Sequence, residues 1–277
     1  MTQYSDIQFT QDHVVSDDGR VVFACSTDHE AWPWLALHPF DPIVVQSINF
    51  WASVETGKAR GTFDTSKWSA LTQTEWLCGD QDVSHATHGI ASAFGEDGTG
   101  RYALSFFDKD DRLVYKMSGK GVVFQNRDFE SWRQKEKTKI APPSISDFQY
   151  ADAKKVGVSS QLESFIAPLV QGDVLAAEAL ITKENGFIPQ HPSHSGSGDH
   201  VNANHLADVA RQFLCQHIGK APIIITSGEM EFHRYVELGR PFHIHLAGED
   251  SARETVSMTV HQADHLCATI TMRYWTA

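Results

Sequence analysis

The sequence of 277 residues predicts an α+β fold made of two similar repeats, each with one long helix enclosed by an antiparallel sheet. A break near the middle of the chain first suggests the duplication. Residues 133–139 are polar and are followed by Pro142-Pro143, which can continue neither a helix nor a central strand. We interpret 133–139 as a solvated linker and divide the chain into a first repeat, 1–140, and a second repeat, 141–277.

Each half then presents its elements in the same order. In the first half, His38-Pro39 precedes a predicted helix over residues 43–54. In the second half, His191-Pro192 precedes a predicted helix over residues 202–218, and Gly219 is well placed to end it. The shared order favours a duplication.

Strands with alternating apolar and polar residues follow both helices. The inward positions predicted in the second half are Phe242, Ile244 and Leu246, then Val256, Met258 and Val260, then Leu266, Ala268, Ile270 and Met272. The first half offers Tyr102, Leu104 and Phe106, a turn at 108–111, and strands at 113–115 and 121–124. One helix wrapped by such a sheet is the hotdog arrangement, so we predict a tandem, or double, hotdog.

Composition narrows the functional classes. The chain is 41% hydrophobic and 21% charged, as in an ordinary globular protein. Its net charge of -12 repels phosphate backbones and anionic lipid, which argues against nucleic-acid or membrane partners. The chain has neither a signal-like start nor an apolar run of the ~18 residues that a transmembrane helix needs. We therefore expect a cytoplasmic protein.

Metal and disulfide chemistry are not indicated. The cysteines are widely spaced without a CxxC pair, and each has apolar neighbours. Histidines alternate along predicted strands at 243, 245, 261 and 265, but no cysteine or acid completes a tetrahedral zinc set. We expect these to be surface histidines and predict no cofactor.

The helix at 202–218 carries the candidate chemistry. One apolar stripe contains Leu206, Val209, Ala210, Phe213 and Leu214, and a polar line contains His205, Asp208, Arg211 and Gln212. A solvated face with an ordinary ion pair is the simpler interpretation. The alternative is that the polar line borders an acyl tunnel.

The residues before and at the start of this helix favour the tunnel. An acid, two imidazoles and two amides fall within seven positions: Asp199, His200, Asn202, Asn204 and His205. Such groups can orient a thioester carbonyl, activate water or move a proton near neutral pH. We therefore predict His200, His205, Asp208, Arg211 and Gln212 as catalytic, and His191, Asp199, Asn202 and Asn204 as substrate-binding.

The second-helix pattern also resembles a known family. Asp199-His200-Val201, six residues, Asp208, one residue and Ala210-Arg211-Gln212 resemble the second repeat of the A-factor biosynthesis proteins, double hotdogs that make γ-butyrolactone or butenolide signal precursors. Residues 232–241 resemble a strand of that family, and residues 128–133 resemble the end of its first repeat.

Two departures separate this chain from the family pattern. Asn202-Ala203-Asn204 replaces the family's Pro-Gly-Met, so His200-Val201-Asn202 is similar to the His-Val-Asn of hotdog acyl thioesterases. A weaker similarity, over residues 196–205, is to the signature of hotdog enoyl-thioester hydratases. The first helix reads Gln46-Ser47-Ile48-Asn49-Phe50 where an acid and Arg-Gln would be expected, which favours the second repeat as the functional one.

The resemblance implies acyl transfer from a β-ketoacyl thioester of acyl-carrier protein or CoA to a small hydroxylated acceptor, with or without a phosphate. Asp208 or His205 would be the base, and Arg211 would bind a carboxyl, a phosphate or the developing oxyanion. Gln212 and Asn202 would orient the carbonyl. Hydrolysis or dehydration of the thioester, and a non-catalytic acyl-binding or scaffold role, are the alternatives. The resemblance also allows a homodimer of double hotdogs.

One structural expectation tests the tunnel. Asp208, Arg211 and Gln212 should be shielded from solvent and should border a cavity that also contacts His205 or Asn202.

Overall fold

The computed structural model describes residues 8–63, 68–92, 101–124, 129–140, 148–185 and 200–276. The first half contains β1 (Thr10–Val15), β2 (Val21–Cys25), α1 (Pro42–Ala59), β3 (Trp68–Cys78), β4 (His88–Ala91), β5 (Tyr102–Phe107), β6 (Leu113–Phe124) and α2 (Phe129–Thr138). The second contains α3 (Ala153–Val156), β7 (Val170–Gln171), β8 (Leu175–Ala179), α4 (Ala203–Ile218), β9 (Ile224–Phe232), β10 (Phe242–Asp250), β11 (Thr255–Gln262) and β12 (His265–Trp275).

The strands of these ranges form one antiparallel sheet, in the order β1-β2-β4-β5-β6-β3-β9-β12-β11-β10-β8-β7. From its own edge, the second half runs β7-β8-β10-β11-β12-β9, which repeats the first half strand for strand. The two halves join where β3 pairs with β9, with Gln73 opposite Glu231 and Leu77 opposite Ser227. The sheet confirms the predicted tandem hotdog. The boundary at residue 140 stays a prediction, because residues 141–147 lie outside the described ranges.

Both central helices pack against each other within the shared core. Asp41 caps α1, since its Oδ1 accepts a hydrogen bond of 2.9 Å from the Ile43 amide, and Pro42 takes the first helical position. Helix α1 continues to Ala59, beyond the predicted end at 54. Helix α4 ends at Gly219, as predicted, with a left-handed φ of 69°.

The predicted strands of the second half correspond to β10, β11 and β12. In the first half, the two strands predicted at 113–115 and 121–124 are one strand, β6. Gly119 and the two lysines between them suggest a break, but cross-strand pairing continues through this segment. Gly119 lies opposite both Thr74 and Tyr102, and a Cβ there would overlap the Tyr102 hydroxyl.

Two local expectations differ from the structure. The segment 133–139, predicted to be a solvated linker, is helical through Thr138, and Arg133 is only 4% exposed. Its guanidinium forms two hydrogen bonds, of 2.6 and 3.0 Å, with the Glu237 carboxylate. The segment 232–241, which resembles a family strand, contributes only Phe232 to β9, and residues 233–241 form the loop between β9 and β10. The burial of Arg133 was not visible locally, because Arg133 and Glu237 are distant in sequence.

No helix in the described ranges is both long and apolar enough to cross a membrane.

Candidate functional site

The polar line of α4 is buried. Asp208, Arg211 and Gln212 are 2%, 4% and 0% exposed, and His205 is also fully buried. The interpretation of this line as a solvated face is therefore wrong, and the predicted shielding is confirmed. Charged groups are rarely this buried unless they are paired with other groups.

Both carboxylate oxygens of Asp208 are held by side chains of the same helix. Arg211 Nε donates to Asp208 Oδ1 at 2.6 Å, and Gln212 Nε2 donates to Asp208 Oδ2 at 2.8 Å. The Gln212 amide also bridges to the segment before β7. Its Nε2 donates to the Glu163 carbonyl at 2.8 Å, and its Oε1 accepts from the Phe165 amide at 2.9 Å. Asp208 and Gln212 are thus fixed in orientation.

Arg211 is held from a second direction. Its Nη1 donates to the carbonyls of Gly157 at 3.2 Å and Val156 at 3.4 Å. Burial lowers the pKa of the guanidinium, but the Asp208 and Asp41 carboxylates outweigh burial and raise it above its ordinary value. Arg211 is therefore a fixed cation. No hydrogen bond within the described ranges uses its Nη2, so this nitrogen is available to a ligand.

Gly157 makes this arrangement sterically possible. Its φ is +69°, and a Cβ at this position would lie 3.2 Å from Arg211 Nη1 and 3.2 Å from Cys215 Sγ. A side chain would therefore crowd the guanidinium as well as strain the backbone.

Asp208 and Arg211 border a cleft of about 350 Å³. Much of its wall is apolar and comes from the loop before α1, from the segment after α3 and from residues 223–225 at the start of β9. Its ionisable lining residues are His38, Asp41, Glu163, Asp208 and Arg211. An apolar cleft with a few convergent polar groups is the usual form of a small-molecule site.

Asp41 connects the first repeat to this charged group. While Oδ1 caps α1, Oδ2 lies 3.7 Å from Arg211 Nε, and the side chain is 14% exposed. Burial raises the pKa of Asp41 to about 6; Arg211 opposes the shift, and Asp208 and Glu163 reinforce it. A carboxyl with such a pKa exchanges its proton near neutral pH, as a general acid or base must.

His38 lies in the same loop and also lines the cleft. Its Nδ1 accepts a hydrogen bond of 3.1 Å from the Phe40 amide, which places the proton of the neutral ring on Nε2. Partial burial lowers the pKa of His38 and so favours this neutral form. In the sequence, His38 and Asp41 belong to the segment His38-Pro39-Phe40-Asp41 directly before α1. Its His-Pro pair marks the repeat, and the same segment supplies two cleft residues.

The predicted residues at the amino end of α4 lie elsewhere. His205 Nδ1 is 2.8 Å from Asn204 Oδ1, and Asn204 Nδ2 donates to Ser47 Oγ of α1 at 3.1 Å. Asn202 occupies the N-cap position without a side-chain capping bond. The described lining of the cleft includes none of these three residues, nor Gln212. The contact of a cavity with His205 or Asn202 therefore stays a prediction, and Asn204 is engaged in the contact between the two helices.

His200 belongs to a separate cluster. Its ring centroid is 4.5 Å from that of Tyr235, and the Arg133 guanidinium lies 4.3 Å above the Tyr235 ring. Burial, followed by the charge of Arg133, lowers the pKa of His200 to about 4, which keeps its ring neutral at pH 7. His200 is not among the described residues that line the cleft. Two further predicted residues, His191 and Asp199, lie outside the described ranges.

The two repeats make unequal contributions to the cleft. When α1 and α4 are aligned at their N-caps, Asp41 and Asn202, the positions of Asp208 and Arg211 correspond to Ser47 and Phe50. The ion pair has no charged counterpart on α1. The second repeat supplies the pair, the first supplies His38 and Asp41, and the cleft is composite.

No family model and no curated protein matches the sequence. Solved structures do match over nearly the whole chain. A 12:0-ACP thioesterase from Umbellularia californica is 11% identical, with a TM-score of 0.55, and the match covers 93% of this chain and 97% of that chain. An acyl-ACP thioesterase from Bacteroides thetaiotaomicron is 10% identical, with a TM-score of 0.54, and the match covers 93% of this chain and 97% of that chain.

A dehydratase domain from the CurF module of curacin polyketide synthase is 13% identical, with a TM-score of 0.55 and coverage of 98% of both chains. At these identities the likeness concerns the fold alone. The chain has the double-hotdog fold of these proteins.

Proposed function

We propose that this protein is an enzyme that processes an acyl thioester in the cleft between its repeats. The main observation is that the buried Asp208–Arg211 pair borders an otherwise largely apolar cleft, beside the Asp41 carboxyl with a pKa of about 6. An acyl chain would pack against the apolar wall of the cleft. The thioester carbonyl would sit at Arg211, where Nη2 can stabilise negative charge on its oxygen.

The contacts support a division of roles. Asp41 is the proposed general base, because one of its oxygens faces the charged group and its pKa lies near neutral pH. Asp208, the base considered from the sequence, has both oxygens engaged and would orient Arg211. Gln212 would in turn position Asp208. His205, which is enclosed by Asn204 and Phe165, would support the helix contact.

The proposed reaction is acyl transfer to a hydroxylated acceptor. The Asp41 carboxylate takes the hydroxyl proton while the acceptor oxygen bonds to the thioester carbon. The resulting oxyanion is held by Arg211. When the carbon–sulfur bond breaks, the leaving thiolate takes the proton from Asp41, and an ester and a thiol are released. Resemblance to the A-factor biosynthesis proteins supports a β-ketoacyl donor on acyl-carrier protein or CoA.

Hydrolysis is the second candidate. Water could replace the acceptor at the same base, and two of the similar solved structures are acyl-ACP thioesterases. Dehydration of a 3-hydroxyacyl thioester is the third, since one similar structure is a dehydratase domain. A passive scaffold is less well supported, because a buried ion pair contributes little stability by itself and is readily replaced by apolar residues.

Intact-mass analysis of products separates these reactions. Acyl-CoA and acyl-carrier thioesters are supplied with and without glycerone. An acylated acceptor indicates transfer, a free acid indicates hydrolysis, and loss of water from a 3-hydroxyacyl thioester indicates dehydration. Asp41→Asn should abolish turnover, whereas the exposed Asp110→Asn should not. Thioester binding without any product would contradict the enzymatic proposal and favour the scaffold.

A further inference from the structure

The charged residues of the cleft are mostly acidic. Asp41, Glu163 and Asp208 line it, while Arg211 is the one lysine or arginine among its described lining residues. Arg211 is already paired with Asp208 at 2.6 Å. The remaining carboxylates therefore give the cleft an excess of negative charge when they are ionised.

Glu163 is fixed in this position by the turn that contains it. Its Oε2 accepts hydrogen bonds from Ser159 Oγ at 2.9 Å and the Ser159 amide at 3.1 Å, as part of a capping box with Ser160. These bonds use one carboxylate oxygen, and Glu163 is among the residues that line the cleft. Glu163 and Asp208 both act electrostatically on Asp41, so the three carboxyls form one interacting group.

Negative charge in a ligand would therefore be disfavoured at this position. A phosphate monoester carries about 1.5 to 2 negative charges at pH 7. At an effective dielectric constant of about 20, two like unit charges about 5 Å apart are disfavoured by roughly a few hundredfold in binding. Arg211 is the one cation among the described lining residues, and three ionised carboxylates outnumber its single charge, so it does not offset this repulsion. The oxyanion of the proposed reaction forms when Asp41 holds the acceptor proton and is neutral, so it meets less repulsion.

Resting on the proposed function, we propose that the acceptor bound in this cleft is an uncharged hydroxyl compound, such as a small polyol or hydroxyketone, and not a phosphorylated or carboxylated one. The cleft supplies what such a molecule needs. Carboxylate oxygens and Ser159 can bond its hydroxyl groups, and no charge has to be matched. The family resemblance leaves open whether the acceptor carries a phosphate. The proposal excludes phosphorylated acceptors.

The test compares glycerone with glycerone phosphate as acceptors at equal concentration and constant ionic strength. Transfer to glycerone should exceed transfer to the phosphate by at least about tenfold. In parallel, ligand-detected NMR measures direct binding of the two acceptors. The charge preference can then be decided even if none of the supplied thioesters is turned over, an outcome that would count against the proposed function alone.

Glu163→Gln provides the matched variant, because glutamine also serves in a capping box and keeps an oxygen acceptor for Ser159. It should raise relative binding of glycerone phosphate several-fold, whereas Glu184→Gln, an exposed carboxylate outside the cleft lining, should leave the ratio unchanged. Equal or tighter binding of the phosphate by the unmodified protein, or a ratio that Glu163→Gln does not change, would overturn the proposal.

Discussion

Helices α1 and α4 occupy equivalent places in the two repeats, yet they differ in how their buried polar residues are used. On α1, Gln46 and Asn49 are neutral, and the one buried acid, Glu55, accepts hydrogen bonds from the Phe9 amide and from Thr10. Asn49 Nδ2 donates to Gln46 Oε1 at 3.4 Å, and the Tyr102 hydroxyl donates to Asn49 Oδ1 at 3.1 Å. On α4, the buried polar residues include an ion pair, Asp208–Arg211, that borders a cleft. Burial alone thus does not distinguish a functional helix from a structural one. The presence of charge beside a cleft does.

Burial of charged groups costs more free energy than burial of neutral amides, and this separates the two helices further. Neutral amides that bond one another lose little on burial, whereas buried ions lose several kcal/mol of hydration each. A duplicated chain can therefore keep a helix as a support when its buried polar groups are mostly neutral. An ion pair is retained most readily where its field acts on a ligand. The following predictions test whether α4 is special in this way.

The largest effect is expected for Arg211→Ala. Removal of the guanidinium leaves Asp208 buried without its cation, so the free energy of unfolding should fall by about 3–5 kcal/mol. Urea unfolding measures this change. Asn49→Ala on α1 removes weaker neutral bonds and should lower it by about 1 kcal/mol. Similar losses for the two variants would remove the distinction between the helices.

Asp41 should make stability depend on pH. Its pKa rises from 3.8 to about 6 on folding, so the folded state binds the proton more tightly. The associated stabilisation is present below pH 4 and is lost as the pH rises through 6, and amounts to about 3 kcal/mol. Asp41→Asn retains a side chain that can cap α1 and should lack this pH-dependent stabilisation.

Unfolding curves of both proteins between pH 4 and 8 isolate the Asp41 contribution, because other titrating groups are common to both. A constant difference in stability across this range would mean that Asp41 is not the group with the raised pKa.

A smaller effect is expected at Gly157, and Gly219 is its natural control. Both glycines end helices at a φ of 69°, but a Cβ at Gly219 meets no atom within 4 Å. Gly219→Ala should cost only the backbone strain, about 1 kcal/mol. Gly157→Ala should lower the free energy of unfolding by about 1 kcal/mol more than Gly219→Ala does. It should also reduce turnover, because the new methyl group displaces Arg211 Nη1. Equal turnover in the two variants would indicate that the position of Arg211 is unimportant.

The smallest effect is expected for Gln46→Met on α1. Gln46 Nε2 is buried and has no hydrogen-bond partner within the described ranges. An apolar side chain of similar size should therefore change the free energy of unfolding by less than about 1 kcal/mol, in either direction. Turnover should be unaffected. A large loss of turnover with an unchanged thermal melt would show that Gln46 also takes part in an active site.

The sequence was informative where a single element carries its own pattern. Alternation predicted β10 to β12, and helical spacing placed Asp208, Arg211 and Gln212 on one line of α4. The partners of that line were not predictable in the same way. Asp41 reaches Arg211 from the other repeat, and periodicity contains no information about which loops meet across a tertiary contact.

The same limit explains the error at Arg133. Its neighbours 134, 135 and 139 are exposed, so the surrounding sequence has the composition of a surface segment. Only the fold brings Glu237 and Tyr235 against its guanidinium. His200 was also identified by its spacing, but its neighbours assign it to this cluster and not to the cleft.

The pairing of β3 with β9 has a consequence for dividing the chain into two polypeptides. A fragment ending near residue 140 would expose the backbone donors and acceptors of β3, and its complement would expose those of β9. Open strand edges of this kind associate readily, so each fragment alone should aggregate or pair with itself. Co-expressed fragments should instead reassemble through the native ladder. Because Asp41 and Arg211 would then belong to different fragments, recovery of thioester turnover would report correct reassembly directly.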